Sequence, residues 1–147
     1  MRRIRTIHVS LMLAALFLPA LAEEQSSRDS PITELMKSFQ TIYAETGTWL
    51  SKPEMLSGAM MKHPEFDFWG LAFVTRTDAD ARLKIDHQPG WFYYTYSLIH
   101  QGTGTVLASG KVTAWDGKVA CDKIADEVIK RIKKFRPIPA KKKNDSQ

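Results

Sequence analysis

Residues 91–135 constrain the fold more than any other part of the chain. Alternation and turn chemistry predict a strand over 91–100, a tight turn over 101–105, a return strand over 106–115 and a closing amphipathic helix over 118–135. Aromatic and β-branched residues, which suit a pleated and half-buried surface, are frequent in both strands. In the first strand Phe92, Tyr94, Tyr96 and Leu98 share one face, and Trp91, Tyr93, Thr95 and Ser97 share the other. Gly102 and Gly104 are expected to supply positive φ in the turn. Val106, Ala108, Gly110, Val112 and Ala114 form a lane of small residues that a helix can approach closely. Asp116 stands at the N-cap position, where a carboxylate accepts from the free amides of the first turn. Cys121, Ile124, Ala125, Val128, Ile132 and Phe135 then stripe one side of the helix. Lys130, Arg131, Lys133 and Lys134 in its last two turns, with Arg136 just beyond, suit the negative end of the helix dipole.

The residues upstream supply the rest of a single domain. Ile32, Leu35, Met36, Phe39, Ile42 and Tyr43 recur at helical spacing after Ser30-Pro31, yet Thr41-Ile42-Tyr43 favours a strand. The expectation is a short helix ending near Lys37 and a strand over 39–45, with one continuous helix to Ala44 as the alternative. Ser51-Lys52-Pro53-Glu54 has the spacing of a capping box, and Met55, Leu56, Ala59 and Met60 follow on one face. Pro64 is expected to stop that helix. The apolar run 68–74 reads as a strand buried on both faces, and 81–87 as a strand with Ala81, Leu83 and Ile85 inward. The order is roughly strand, helix, four strands, helix. It predicts an α+β fold in which two helices cover a mixed or antiparallel sheet of about four to five strands.

The two ends have other roles. Arg2, Arg3 and Arg5, the apolar run 9–18 and Ala20-Leu21-Ala22 make residues 1–22 a secretory signal peptide, with an uncleaved anchor as the alternative. Residues 23–30 read as a flexible leader, 31–136 as the domain and 137–147 as a disordered basic tail. Without 1–22 the formal charge of +5 falls to +2. Residues 130–143 hold eight basic side chains and no acid, while 23–129 carry a net −5. Basic charge confined to one end is not the spread-out basic face of a nucleic-acid binder, so no nucleic acid is expected as partner. Cys121 is the only cysteine, so there is no internal disulfide and no lipoprotein cysteine after the signal. The expected location is the periplasm or outside the cell after cleavage near Ala22.

No constellation of catalytic residues emerges. His63, His87 and His100 lack the spacing of a metal site. Asp78, Asp80 and Asp86 read as solvated turn and strand-face residues rather than a paired acid and base. Gly102-Thr103-Gly104 precedes no helix and so is no phosphate cradle. No enzyme activity, cofactor or metal is expected. Two surfaces remain as candidates. Trp91, Tyr93, Thr95 and Ser97 combine aromatics with hydroxyls on one strand face, the composition of a contact patch. Lys133, Lys134, Arg136, Lys141, Lys142 and Lys143 could meet a polyanion or a membrane surface.

The run 103–110 followed by 120–128 resembles the end of an α/β domain found in bacterial envelope proteins, including the amino-terminal domain of TolB and domains of envelope lipoproteins. Ala79-Asp80-Ala81-Arg82-Leu83-Lys84-Ile85 is similar to the step before the hairpin in those domains, so the likeness spans 76–135. The run 108–117 also resembles a stretch of short, uncharacterised exported bacterial proteins. The resemblance implies a domain that works through contacts. The expected role is therefore an exported, non-enzymatic interaction module of the periplasm with an unknown envelope protein as partner. The alternatives are a small secreted ligand-binding protein or hydrolase with an aromatic hairpin pocket, and a polyanion or membrane-surface binder acting through the basic C-terminus.

Overall fold

The computed structural model describes residues 31–75 and 78–139. Residues 1–22 and 23–30, read from the sequence as a signal peptide and a leader, lie outside the described residues, as do residues 140–147 of the expected tail. Helix α1 (31–38) leads into strand β1 (Thr41–Thr46), then helices α2 (Pro53–Met61) and α3 (Pro64–Phe68). Strands β2 (Ala72–Val74), β3 (Ala81–His87), β4 (Tyr93–His100) and β5 (Val106–Thr113) follow, and helix α4 (Gly117–Lys133) closes the domain. The short α1 and the separate strand after it match the first of the two readings of residues 31–46.

The sheet is mixed, with order β2-β1-β3-β4-β5. β1 pairs parallel with both β2 and β3, and β3-β4-β5 is an antiparallel meander. One face is apolar. Ala44, Leu83, Leu98 and Ala108 form one row across four strands, and Ile85 and Tyr96 form part of the next. Met36 of α1, Leu56, Ala59 and Met60 of α2, Phe66 of α3 and the stripe of α4 all bury against that face in one core. The α+β sandwich expected from the element order is therefore present, with α2 and α4 as the long covering helices.

Helix α4 starts as its sequence dictates. Asp116 caps it by accepting from the Val119 N–H at 2.8 Å, and Cys121, Ile124, Ala125, Val128 and Ile132 are buried. Burial, with Asp122 and Asp116 nearby, pushes the Cys121 thiol up to about 11, which leaves it a small core hydrophobe. Two ion pairs and one histidine–carboxylate contact join the α2–α3 corner and α3 to α4. They are Lys62–Asp122 at 3.2 Å, His63–Asp126 at 3.4 Å and Lys133–Glu65 at 3.0 Å.

Several local expectations are corrected. Ser51 is not a capping residue: Lys52 holds the N-cap of α2 without a side-chain bond, and Ser51 is buried with its hydroxyl unpartnered. The reason is tertiary, because the Leu50 carbonyl lies where a side chain on Gly117 would stand, pinning this loop to the start of α4. α2 does end before Pro64, as expected, but Pro64 also opens a further helix, α3, as its N-terminal proline. The run 68–74 is not a doubly buried strand, since Phe68 ends α3 and only Ala72–Val74 pair, at the sheet edge. Of the two turn glycines, Gly104 has positive φ and Gly102 does not. The strand predicted from 91 begins at Tyr93, and the small-residue lane is broken by a register shift opposite Leu98 and Ile99. Leu98 pairs with Ala108 and Ile99 with Val106, so the extra residue, Leu107, turns into the core while Val106 turns out. Gly110 makes room for a side chain rather than for the helix. A Cβ there would stand 2.7 Å from the Tyr96 ring, which lies across β5.

Candidate contact surface

All the described helices pack on one face of the sheet, so the side chains that alternate away from the core form a second face with no described element over it. Across β1, β3, β4 and β5 that face carries Glu45, Lys84, Ser97 and Ser109 in one row. The next row holds Asp86, Thr95 and Lys111, and the last holds Tyr93 beside Thr113. Two ion pairs hold its middle, Arg82–Glu45 at 3.3 Å and Lys84–Asp86 at 3.1 Å.

The four sequence-predicted contact residues come together at one end of this face. Tyr93, Thr95 and Ser97 follow one another on β4, with Thr95 exposed and the other two half-buried. Trp91 lies just before the strand, and its ring packs on Tyr93 with centroids 5.4 Å apart and planes tilted by 31°. A fifth member escaped the sequence reading. Lys111 of β5 sits one strand over, with Nζ 4.1 Å from the centre of the Tyr93 ring. Such a cation over an aromatic face is attractive by about 0.5–1 kcal/mol at an exposed site. The Lys111 pairing with Thr95 could have been read only once the register of the two strands was known. The result is an aromatic ledge with a positive end and a hydroxyl floor.

The basic candidates separate. Arg136 is half-buried and structural: Nε donates to the Met36 carbonyl at 2.8 Å, Nη2 donates to the Phe39 carbonyl, and the guanidinium lies 4.7 Å from the Phe39 ring centre. It thereby serves a C-terminal carbonyl of α1, while its own carbonyl accepts from the Trp69 indole N–H at 3.0 Å. Burial lowers its pKa from the ordinary value. As a free polyanion contact Arg136 is therefore withdrawn. Lys133 is engaged with Glu65, whose carboxyl is held below the usual range chiefly by that hydrogen bond. Lys134 is exposed and, with Lys130 and Arg131, edges a groove of about 620 Å³ between α1, β5 and α4. Tyr96 lies in that groove, its hydroxyl pKa raised by burial and by Glu127 and offset by Arg131. Lys141, Lys142 and Lys143 lie outside the described residues.

The titratable clusters disperse. His87 and His100 lie at opposite ends of the β3–β4 pair, across from Tyr94 and Ala81. That separation is about 20 Å at strand rise. His87 Nε2 meets the Trp91 carbonyl at 2.7 Å, and His100 Nδ1 meets the Thr103 hydroxyl at 3.1 Å. Among the described residues no group of three His, Cys, Asp or Glu side chains is placed to hold a metal ion. Asp80 is more than a solvated turn residue. Its carboxylate accepts from the Gln40 and Thr41 amides, both at 2.9 Å, and from the Thr41 hydroxyl at 2.8 Å.

No family model matches the chain, and no curated protein matches it. Among solved structures it is similar to the Xanthomonas campestris protein XCC0632, a DUF330 protein. The two are 14% identical, with a TM-score of 0.39 over 63% of this chain and 82% of that one. A superposition of that quality transfers neither fold nor function.

Proposed function

We propose that the chain is an exported, non-enzymatic interaction module of a bacterial periplasm, and that it meets an envelope protein through the uncovered sheet face at Trp91, Tyr93, Thr95, Ser97 and Lys111. The observation that carries this is the tilted Trp91–Tyr93 ring pair with Lys111 over the Tyr93 ring, on a face that no described element covers. Aromatics give large contact area at low entropy cost, and hydroxyls supply adaptable hydrogen bonds beside them. The likeness of 76–135 to the TolB amino-terminal domain supports the same class of role, and the pattern of residues 1–22 supports the location.

The test is the paired variant Trp91→Ser with Tyr93→Ser, used as bait against envelope extract beside the wild type. Near-normal melting temperature with lost capture of the wild-type partner is the expected result. Capture that survives in a stably folded double variant removes the patch. A melting temperature lower by several degrees, as ~1 kcal/mol gives in a domain of this size, means the pair is covered rather than available.

A further inference from the structure

Three loops meet at one end of the sheet. Residues 47–52 follow β1, 88–92 join β3 to β4, and 114–116 join β5 to α4. The strand directions bring them together, since Thr46 pairs with Ile85 and Tyr93 with Thr113. Backbone contacts tie them into one rim. The Ala114 N–H donates to the Phe92 carbonyl at 2.8 Å, and the Leu50 carbonyl lies 1.8 Å from where a Gly117 Cβ would be. Each loop presents a large aromatic side chain to solvent: Trp49 is 88% exposed, Phe92 68% and Trp115 84%. The domain thus exposes indoles from two separate loops at one end, although it has core enough to bury Phe39, Phe66 and Tyr94.

We infer that this rim is a membrane-contact surface, in which Trp49, Phe92 and Trp115 enter the boundary between headgroups and acyl chains of a lipid bilayer. Indole is amphipathic and concentrates at that depth, with its ring in the apolar layer and its N–H among the headgroups. The charges at the rim agree. Exposed Lys52 and Lys118 flank the aromatics and can meet headgroup phosphates. Asp116, the carboxylate within the rim, is occupied in capping α4, and Asp86 is paired with Lys84. Glu54 stands in the first turn of α2, two residues after Lys52. A folded partner would need about 800 Å² of close-fitting surface, and the groove beside β5 and the hollow at Tyr43 and Phe73 are elsewhere. Loop tips with bulky ends suit a soft, deformable layer instead. The surface adjoins the Trp91–Tyr93 ledge, since Trp91 lies in the same 88–92 loop as Phe92, but the variant below leaves Trp91 and Tyr93 in place, so the two readings are tested separately.

The test uses the chain from Glu23 onward, which keeps every described residue, and the double variant Trp49→Ser with Trp115→Ser. Both are sedimented with phosphatidylcholine vesicles, and with vesicles containing phosphatidylglycerol, at low and high salt. The wild type is expected to partition onto both, with tryptophan emission shifted to the blue and quenched by brominated acyl chains. The double variant is expected to keep its melting temperature and lose at least about tenfold in partition, as removal of two interfacial rings implies. No partition by the wild type overturns the inference, as does equal partition of the two proteins. Binding that needs the anionic lipid, vanishes in salt and ignores the variant assigns the contact to the basic C-terminus and also overturns it. So does a wild-type dimer in sedimentation velocity that the variant abolishes, because a second copy then covers the rim.

Discussion

Asp80 holds together two segments that the chain separates by some forty residues. Its carboxylate takes the Gln40 and Thr41 amides and the Thr41 hydroxyl, and its own amide donates back to that hydroxyl at 2.8 Å. These bonds fasten the starts of the parallel strands β1 and β3, where a two-residue turn has no place. Hydrogen bonds to the charged form lower its pKa from the ordinary value of 3.8, the Gln40 amide contributing most and Thr41 next. Because the folded value lies below the unfolded one, the contribution is fully present above the unfolded carboxylate range. It is lost as pH falls through the folded value. Asp80→Asn should therefore lower stability at neutral pH and flatten the fall in stability below about pH 4. Urea midpoints across pH 2–7, taken roughly over that carboxylate range, check it; parallel acid limbs for the two proteins would count against the clasp. Nothing around Asp80 in the sequence announces this role, because Asp78-Ala79-Asp80 reads locally as a turn and the partners lie in another strand. Arg136 misleads in the same way, reading as one of a run of cations while serving the Met36 carbonyl of a helix a hundred residues upstream.

At the scale of elements, periodicity is sound where an element has one wet side and fails where tertiary contacts intervene. β3 alternates as read, with Ala81, Leu83 and Ile85 inward, and α4 has its predicted stripe and cap. The β5 strand keeps its phase only from Ala108 onward. Leu107 is the inserted residue, buried while Val106 is exposed. Leu107→Ala should cost about 2–5 kcal/mol as a core truncation. Val106→Ala should stay within about 0.5 kcal/mol. Denaturant melts that rank the two the other way would place the register shift elsewhere. The run 68–74 shows a second kind of failure. Six apolar residues broken only by Gly70 have no period, so length alone cannot separate a buried strand from a helix end and an edge strand. The chain resolves it through Pro64, which opens a short helix, and through Phe66, which stacks on Phe73 at 5.4 Å.

For the whole molecule, residues 1–22 predict processing after Ala22 and a mature chain starting at Glu23. Intact-mass measurement on periplasmic material decides it, and a mass that retains Met1–Ala22 removes both the export reading and its location. Within the domain, what the sequence by itself determined was the inventory: a hairpin, an amphipathic closing helix capped by Asp116, an inward row on β3, and an α+β class. These follow from interactions a few residues long, in which side-chain alternation, turn chemistry and capping act on the backbone that carries them. The ledge was legible in the same way for Tyr93, Thr95 and Ser97, because a strand places alternate residues on one face wherever it lies, whereas Trp91 precedes the strand and joins them through its ring contact with Tyr93. Tertiary structure alone decided that β1 runs parallel between β2 and β3, that Lys111 closes on Tyr93 and that Arg136 is a clamp. It also decided that Trp49, Phe92 and Trp115 share one rim. Each of these depends on which segments meet, and that is settled by burying one face of the sheet under all the described helices at once, a condition that no local window of the chain contains.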